Sequence, residues 1–88
     1  MLPNEAFALI KTAVEADPDK RLVKAQYWPD VFGNFIVAFE DSGTPQSVVL
    51  DRFELVICQD LDGNEGCKAV LDSIRNAEPD EMIAKLGL

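Results

Sequence analysis

Asp60, Asp62 and Asn64 stand at alternate positions in Gln59-Asp-Leu-Asp-Gly-Asn-Glu-Gly66, the opening spacing of a calcium-binding loop. Oxygen ligands at the first, third and fifth positions suit a hard cation. The pattern then fails twice. The sixth position, which needs glycine for the sharp bend, is Glu65, and the twelfth, which needs a bidentate glutamate, is Leu71. A turn is therefore expected here, with Asp62 or Asn64 capping a helix and Gly63 taking a positive φ. No metal is expected.

Two cysteines, Cys58 and Cys67, are the only candidate nucleophiles of their kind. Cys67 is expected in the first turn of a helix, a position that favours a reactive thiolate. Asp62 and Glu65 oppose that effect, because neighbouring negative charge disfavours a second anion. Cys67 also shares an apolar stripe with Val70 and Leu71, so both cysteines are expected to pack as small hydrophobes. A Cys58–Cys67 disulfide is not expected, since the cysteine density is far below that of a secreted scaffold and a reducing cytoplasm is the expected setting.

Histidine is absent. That removes the commonest general base, the Ser-His and Cys-His dyads, and most zinc sites. Arg52 is the one base between Lys24 and Lys68, which would suit an anion ligand. Beside Asp51 it reads better as half of a solvent-facing turn pair of little energetic worth. No catalytic residue and no cofactor are expected.

The remaining candidate is Tyr27-Trp-Pro-Asp-Val-Phe32, which gathers three of the seven aromatic residues. Tyrosine and tryptophan are enriched at binding hot spots, and loops carry function disproportionately. Core packing is the competing expectation for Tyr27 and Trp28.

These residues need elements to position them. A helix is expected from Glu5 to Ala16, capped by Asn4, with Ala6, Leu9, Ile10 and Ala13 on its buried face. Asp17-Pro18-Asp19 ends it. Arg21–Trp28 alternates as a strand, with Val23, Ala25 and Tyr27 on one side and Leu22, Lys24, Gln26 and Trp28 on the other. Phe35–Phe39 is apolar on both sides and suits a central strand. The cluster Glu40-Asp-Ser-Gly-Thr-Pro45 is a turn. Ser47–Leu50 and Phe53–Gln59 follow as two strands broken near Asp51-Arg52, or as one long bent strand.

Cys67, Val70, Leu71 and Ile74 carry helical spacing, so a helix is expected over Asn64–Arg75. Pro79–Leu86 is expected as a third helix, with proline first, Asp80 and Glu81 in the first turn and Gly87 beyond the end.

The expected architecture is one α+β domain spanning residues 1–88. It has an N-terminal helix, a three- to four-stranded antiparallel meander and two C-terminal helices packed on one sheet face. If Phe35, Val37 and Phe39 meet the helices, Ile36 and Ala38 face away, joined by Leu22, Trp28 and either Val56 or Val48. Such a patch marks an interface unless loops or the third helix fold back over it.

Sixteen acidic residues against eight basic give a net charge of −8. Residues 31–62 hold six of the acids and only Arg52 among the bases, so −5 of the −8 lies there. This balance excludes the basic stripe that nucleic-acid affinity needs and disfavours anionic membranes. The N-terminal stretch lacks the basic segment of a signal peptide, and no apolar run approaches membrane-spanning length.

The functional expectation is a small acidic protein-interaction module, binding a protein partner or forming a homodimer, without catalysis. Its candidate binding residues are Tyr27, Trp28, Phe32, Ile36 and Ala38. Small acidic α+β inhibitors and toxin-neutralising immunity proteins offer a fold-level analogy only. The alternative is a small ligand-binding protein or enzyme with a carboxylate-lined site at an oligomer interface, using Asp51, Asp60 or Asp62. Mimicry of nucleic acid by the carboxylates ranks last.

Overall fold

The computed structural model describes the backbone of residues 1–61 and 64–88, and the side chains of these residues apart from 60, 61, 64 and 65. Its elements run α1 (Pro3–Ala16), β1 (Lys20–Trp28), β2 (Asn34–Asp41), β3 (Thr44–Asp51), β4 (Glu54–Leu61), β5 (Asn64–Leu71) and α2 (Pro79–Leu86). The five strands form one antiparallel sheet in chain order, β1-β2-β3-β4-β5. The α+β class with an antiparallel meander is as expected. The sheet has five strands rather than three or four, and one C-terminal helix rather than two.

α1 begins two residues earlier than the sequence spacing predicts. Pro3 takes its first turn, where its missing N–H is no loss, and Leu2 is the cap residue without a side-chain hydrogen bond. Asn4 lies inside the helix and does not cap it. The buried face is Ala6, Ile10 and Val14, one residue per turn, while Leu9 is exposed. Asp17 stops the helix. Its carboxylate accepts from the Asp19 backbone N–H at 2.9 Å and from Lys20 Nζ. The hydrogen bond from Lys20 holds the Asp17 carboxyl below its ordinary value, and the same bond raises the Lys20 ammonium.

Two hairpins turn on residues with positive φ at both central positions, as the twist of paired strands requires. Ser42 and Gly43 serve between β2 and β3, with φ of 50° and 88°. Arg52 and Phe53 serve between β3 and β4, with φ of 50° and 71°. Side chains with a Cβ rarely adopt this conformation, so the second turn needs external support. Asn34 Oδ1 accepts from the Arg52 N–H at 2.8 Å, Ile74 N–H donates to the Phe53 carbonyl at 2.9 Å, and the Arg75 guanidinium lies 4.1 Å from the Phe53 ring centroid.

The expected helix over Asn64–Arg75 is instead β5. Pairing with β4 sets Cys58 opposite Cys67 and Val56 opposite Ala69, then shifts register so that Leu55 faces Leu71. Val70 is the extra residue of this bulge. Leu71 is buried and Val70 packs partly against the core. An adjacent apolar pair shortly after Cys67 therefore imitates a helical stripe. Gly66, which costs a helix about 1 kcal/mol relative to alanine, weakens any local helical preference. A second bulge between Leu22 and Lys24 in β1 has the same consequence for sidedness. Leu22 turns inward to the core, and Val23 is left outside at 57% exposure.

Both helices lie on one face of the sheet. Phe35, Val37, Phe39, Val48, Leu50 and Leu55 project into the same layer as the buried faces of α1 and α2, with Ile74 closing one end. Among the described residues no polar or charged side chain is buried. Each fully buried large side chain contributes roughly 1.5–3 kcal/mol, so the stability of the fold resides in this single layer.

Candidate functional site

Strand alternation assigns every second residue to the opposite, outer face. Phe35, Val37 and Phe39 are buried, so Asn34, Ile36, Ala38 and Glu40 point outward. Their registered partners extend the face. Ile36 pairs with Val49, Ala38 with Ser47, Val49 with Val56, and Ser47 with Cys58. Trp28, opposite Asn34 in β1, lies on the same side. The result is an apolar field one layer thick that neither α1 nor α2 covers.

At one end of this field is an open recess of about 430 Å³. Trp28, Ile36 and Val49 of the outer face line it together with Val31 of the 29–33 loop. Lys24 and Asp51 lie at opposite ends, four residues from Trp28 along β1 and at the end of β3 respectively. Asn34 Nδ2 donates to Asp51 Oδ1 at 3.4 Å while its own Oδ1 holds the Arg52 N–H, so one amide braces the rim to the β3–β4 turn. The Arg52 guanidinium sits 5.9 Å from the Phe32 ring centroid, linking the turn to the 29–33 loop. Gly33 ends that loop at φ 70°, with its backbone so near Pro3 that a Cβ there would lie 2.5 Å from the Pro3 Cβ. Only glycine fits.

The structure separates the five expected binding residues. Trp28, Ile36 and Ala38 share the outer face, with Trp28 at 38% exposure. Phe32 is exposed at 60% in the adjoining loop, beside the recess rather than in it. Tyr27 points the other way, half-buried and stacked on Phe7 with ring centroids 5.5 Å apart. Of the residues expected to join the patch, Val56 does and Val48 and Leu22 do not. Sequence reasoning missed Val31, Asn34 and Val49. The signal for Val49 was present, because a two-residue loop at Ser42-Gly43 sets residue 36 opposite 49.

Cys58 and Cys67 are joined in a disulfide across β4 and β5, with Cα atoms 4.0 Å apart. The expectation of two packed thiols is corrected. β5 is a strand, so Cys67 stands directly opposite Cys58 on the outer face instead of beneath a helix. Cys58 is buried and Cys67 exposed.

Among the described residues no cluster of three or more metal-ligating side chains is found. The calcium-like spacing from Asp60 falls on side chains outside those described. Among the described residues no helix is long and apolar enough to cross a membrane. No protein-family model matches the chain, and no curated protein or solved structure matches it.

Proposed function

We propose that the chain is a non-catalytic protein-interaction module that docks a positively charged protein on its outer sheet face. The observation that carries this reading is the one-sided packing: both helices cover the inner face, and the apolar field from Trp28 to Val56 is left without a second layer. Contiguous apolar surface of this kind marks interaction sites in soluble proteins. Charge chooses between occupants. Two copies of a chain at −8 repel each other at long range, whereas a cationic partner is drawn in and its association accelerated.

The cytoplasmic setting expected from the sequence sits uneasily with a closed Cys58–Cys67 disulfide, because cytosolic glutathione keeps accessible pairs reduced. An oxidising compartment fits the bond better.

The test uses affinity capture from the source lysate with three versions of the protein. Val56→Asp puts a charge in the outer face, and Ala8→Asp puts one on the exposed side of α1. Proteins of net positive charge retained by the parent and by Ala8→Asp but lost by Val56→Asp support the reading. Capture insensitive to Val56→Asp, or a concentration-dependent dimer by light scattering with no captured protein, overturns it.

The recess volume also lies within the range of small-molecule sites, about 300–1,000 Å³. This favours ligand binding as a second reading. A metabolite screen by thermal shift addresses it, since a specific ligand raises Tm by mass action.

A further inference from the structure

We infer that the recess between Trp28, Val31, Ile36 and Val49 receives an apolar side chain of the partner, and that an arginine or lysine next to that anchor lies over the Asp51–Glu54 pair. The inference rests on the interaction reading above and names the chemistry of its partner.

At the recess the 29–33 loop joins the outer face. A flat apolar sheet offers area but little selectivity. Here Val31 joins Trp28, Ile36 and Val49 around one open space of about 430 Å³, which accommodates a large side chain. Hot spots of protein interfaces take this form, an apolar pocket that excludes water from a single anchor.

The direction of the charge preference comes from register. Asp51 and Glu54 are cross-strand partners flanking the β3–β4 turn. Both point to the outer face, because their neighbours Leu50 and Leu55 are buried. Like charges directly opposite each other destabilise an antiparallel pair. Arg52 approaches Asp51 only at 4.0 Å and is itself exposed. A partner cation placed over the two carboxylates relieves that repulsion and gains charge-assisted hydrogen bonds. Asn34 already holds Asp51 in position for it. Asp30 adds a third carboxylate in the loop that supplies Val31. Lys24, at the far end of the recess, suits a carbonyl or carboxylate of the partner and so gives the bound segment a polarity.

Three capped peptides titrated into the isotope-labelled protein test this, with backbone amide shifts as the readout: acetyl-Phe-Arg-Arg-amide, acetyl-Ala-Arg-Arg-amide and acetyl-Phe-Glu-Glu-amide. The first is expected to bind with a Kd of about 1–10 mM, as a short flexible ligand should, shifting the amides of residues 28–36 and 49–54. The other two are each expected to bind roughly tenfold more weakly, the loss of one anchor or one charge contact. Ile36→Asp abolishes the shifts, and the D51N/E54Q double variant reduces affinity for the first peptide to about that of the glutamate peptide. Equal binding of the alanine and phenylalanine peptides would show general acidity alone and overturn the assignment. Preference for the glutamate peptide, or shifts confined to other surfaces, overturns it equally. Ala8→Asp, on the exposed side of α1 and away from the outer face, leaves peptide affinity within about twofold. Captured-partner loss in Val56→Asp together with peptide failure therefore removes the recess assignment and leaves the interaction reading standing.

Discussion

Phe35 and Ile36 are neighbours in the chain, alike in hydrophobicity, and have opposite fates. Phe35 is fully buried beneath α1, whereas Ile36 lies on a face that no helix covers. The same contrast runs through Leu50 and Val49, and through Leu55 and Val56. Apolar residues thus occupy both sides of the sheet, but only one side packs them within the chain. The inner face supplies the packed core. The outer face carries apolar side chains that neither helix packs, and these form the surface proposed above for a partner.

The largest effect expected from breaking this contrast is Phe35→Ala, at about 3–5 kcal/mol of lost stability, against about 1 kcal/mol or less for Ile36→Ala. Denaturant melts of the two variants measure it. Equal losses would mean that the outer face is packed in solution and would end the distinction.

The disulfide is the outer face's own contribution to stability, and its effect ranks next. Its cysteines are nine residues apart, so loop closure contributes about 2–3 kcal/mol. Oxidised protein is expected to be lighter by two hydrogens than reduced protein and to resist alkylation. The C58S/C67S variant should melt at a lower denaturant concentration, and adding dithiothreitol to the parent should bring it down to that variant. A parent whose midpoint ignores the reductant would show that the bond is not closed.

The smallest effect sharpens the contrast by locating charge chemistry away from the recess. Asp17 is depressed below 3.8 by Lys20, so its contribution is complete above that value and lost as pH falls through the depressed one. Lys20 is raised above 10.5, so its contribution is complete below that value and lost as pH climbs through the raised one. The Lys20 side chain is largely covered, but the Asp17 carboxylate remains about a third exposed, so solvent screens the pair and the effect is small. D17N should flatten the acid limb of the stability profile without changing binding to the outer face.

Much of this was legible in the residues. Pro79 and Gly87 bracket α2, and the alternation through Phe35–Phe39 separates the two faces from sequence alone. The misassigned sides in β1 and β5 share one cause. Bulges at Val23 and Val70 each insert a residue into a strand, and after such an insertion the parity that assigns sides is inverted. Leu22 therefore reads as outward, and the pair Val70-Leu71 takes on the look of a helix. For β5 a competing signal was present, since Asp62-Gly63 is a dipeptide favoured in two-residue hairpins. The recess was not legible at all. It needs Val31 of a loop and Val49 of a strand to line one space, and that juxtaposition follows from the 29–33 backbone rather than from any residue pattern.

The chain-order arrangement of the sheet bears on how quickly the molecule forms. Each strand pairs with its immediate successor, and the described connections are two residues long at 42–43 and 52–53 and five at 29–33. Pairing can spread from any hairpin to the next without first closing a long loop, so little chain entropy is lost before contacts offset it. The packing of α1 against α2 is a closure that spans the whole chain. An assembly step of that kind comes naturally last, once the sheet has brought the two helices to the same side.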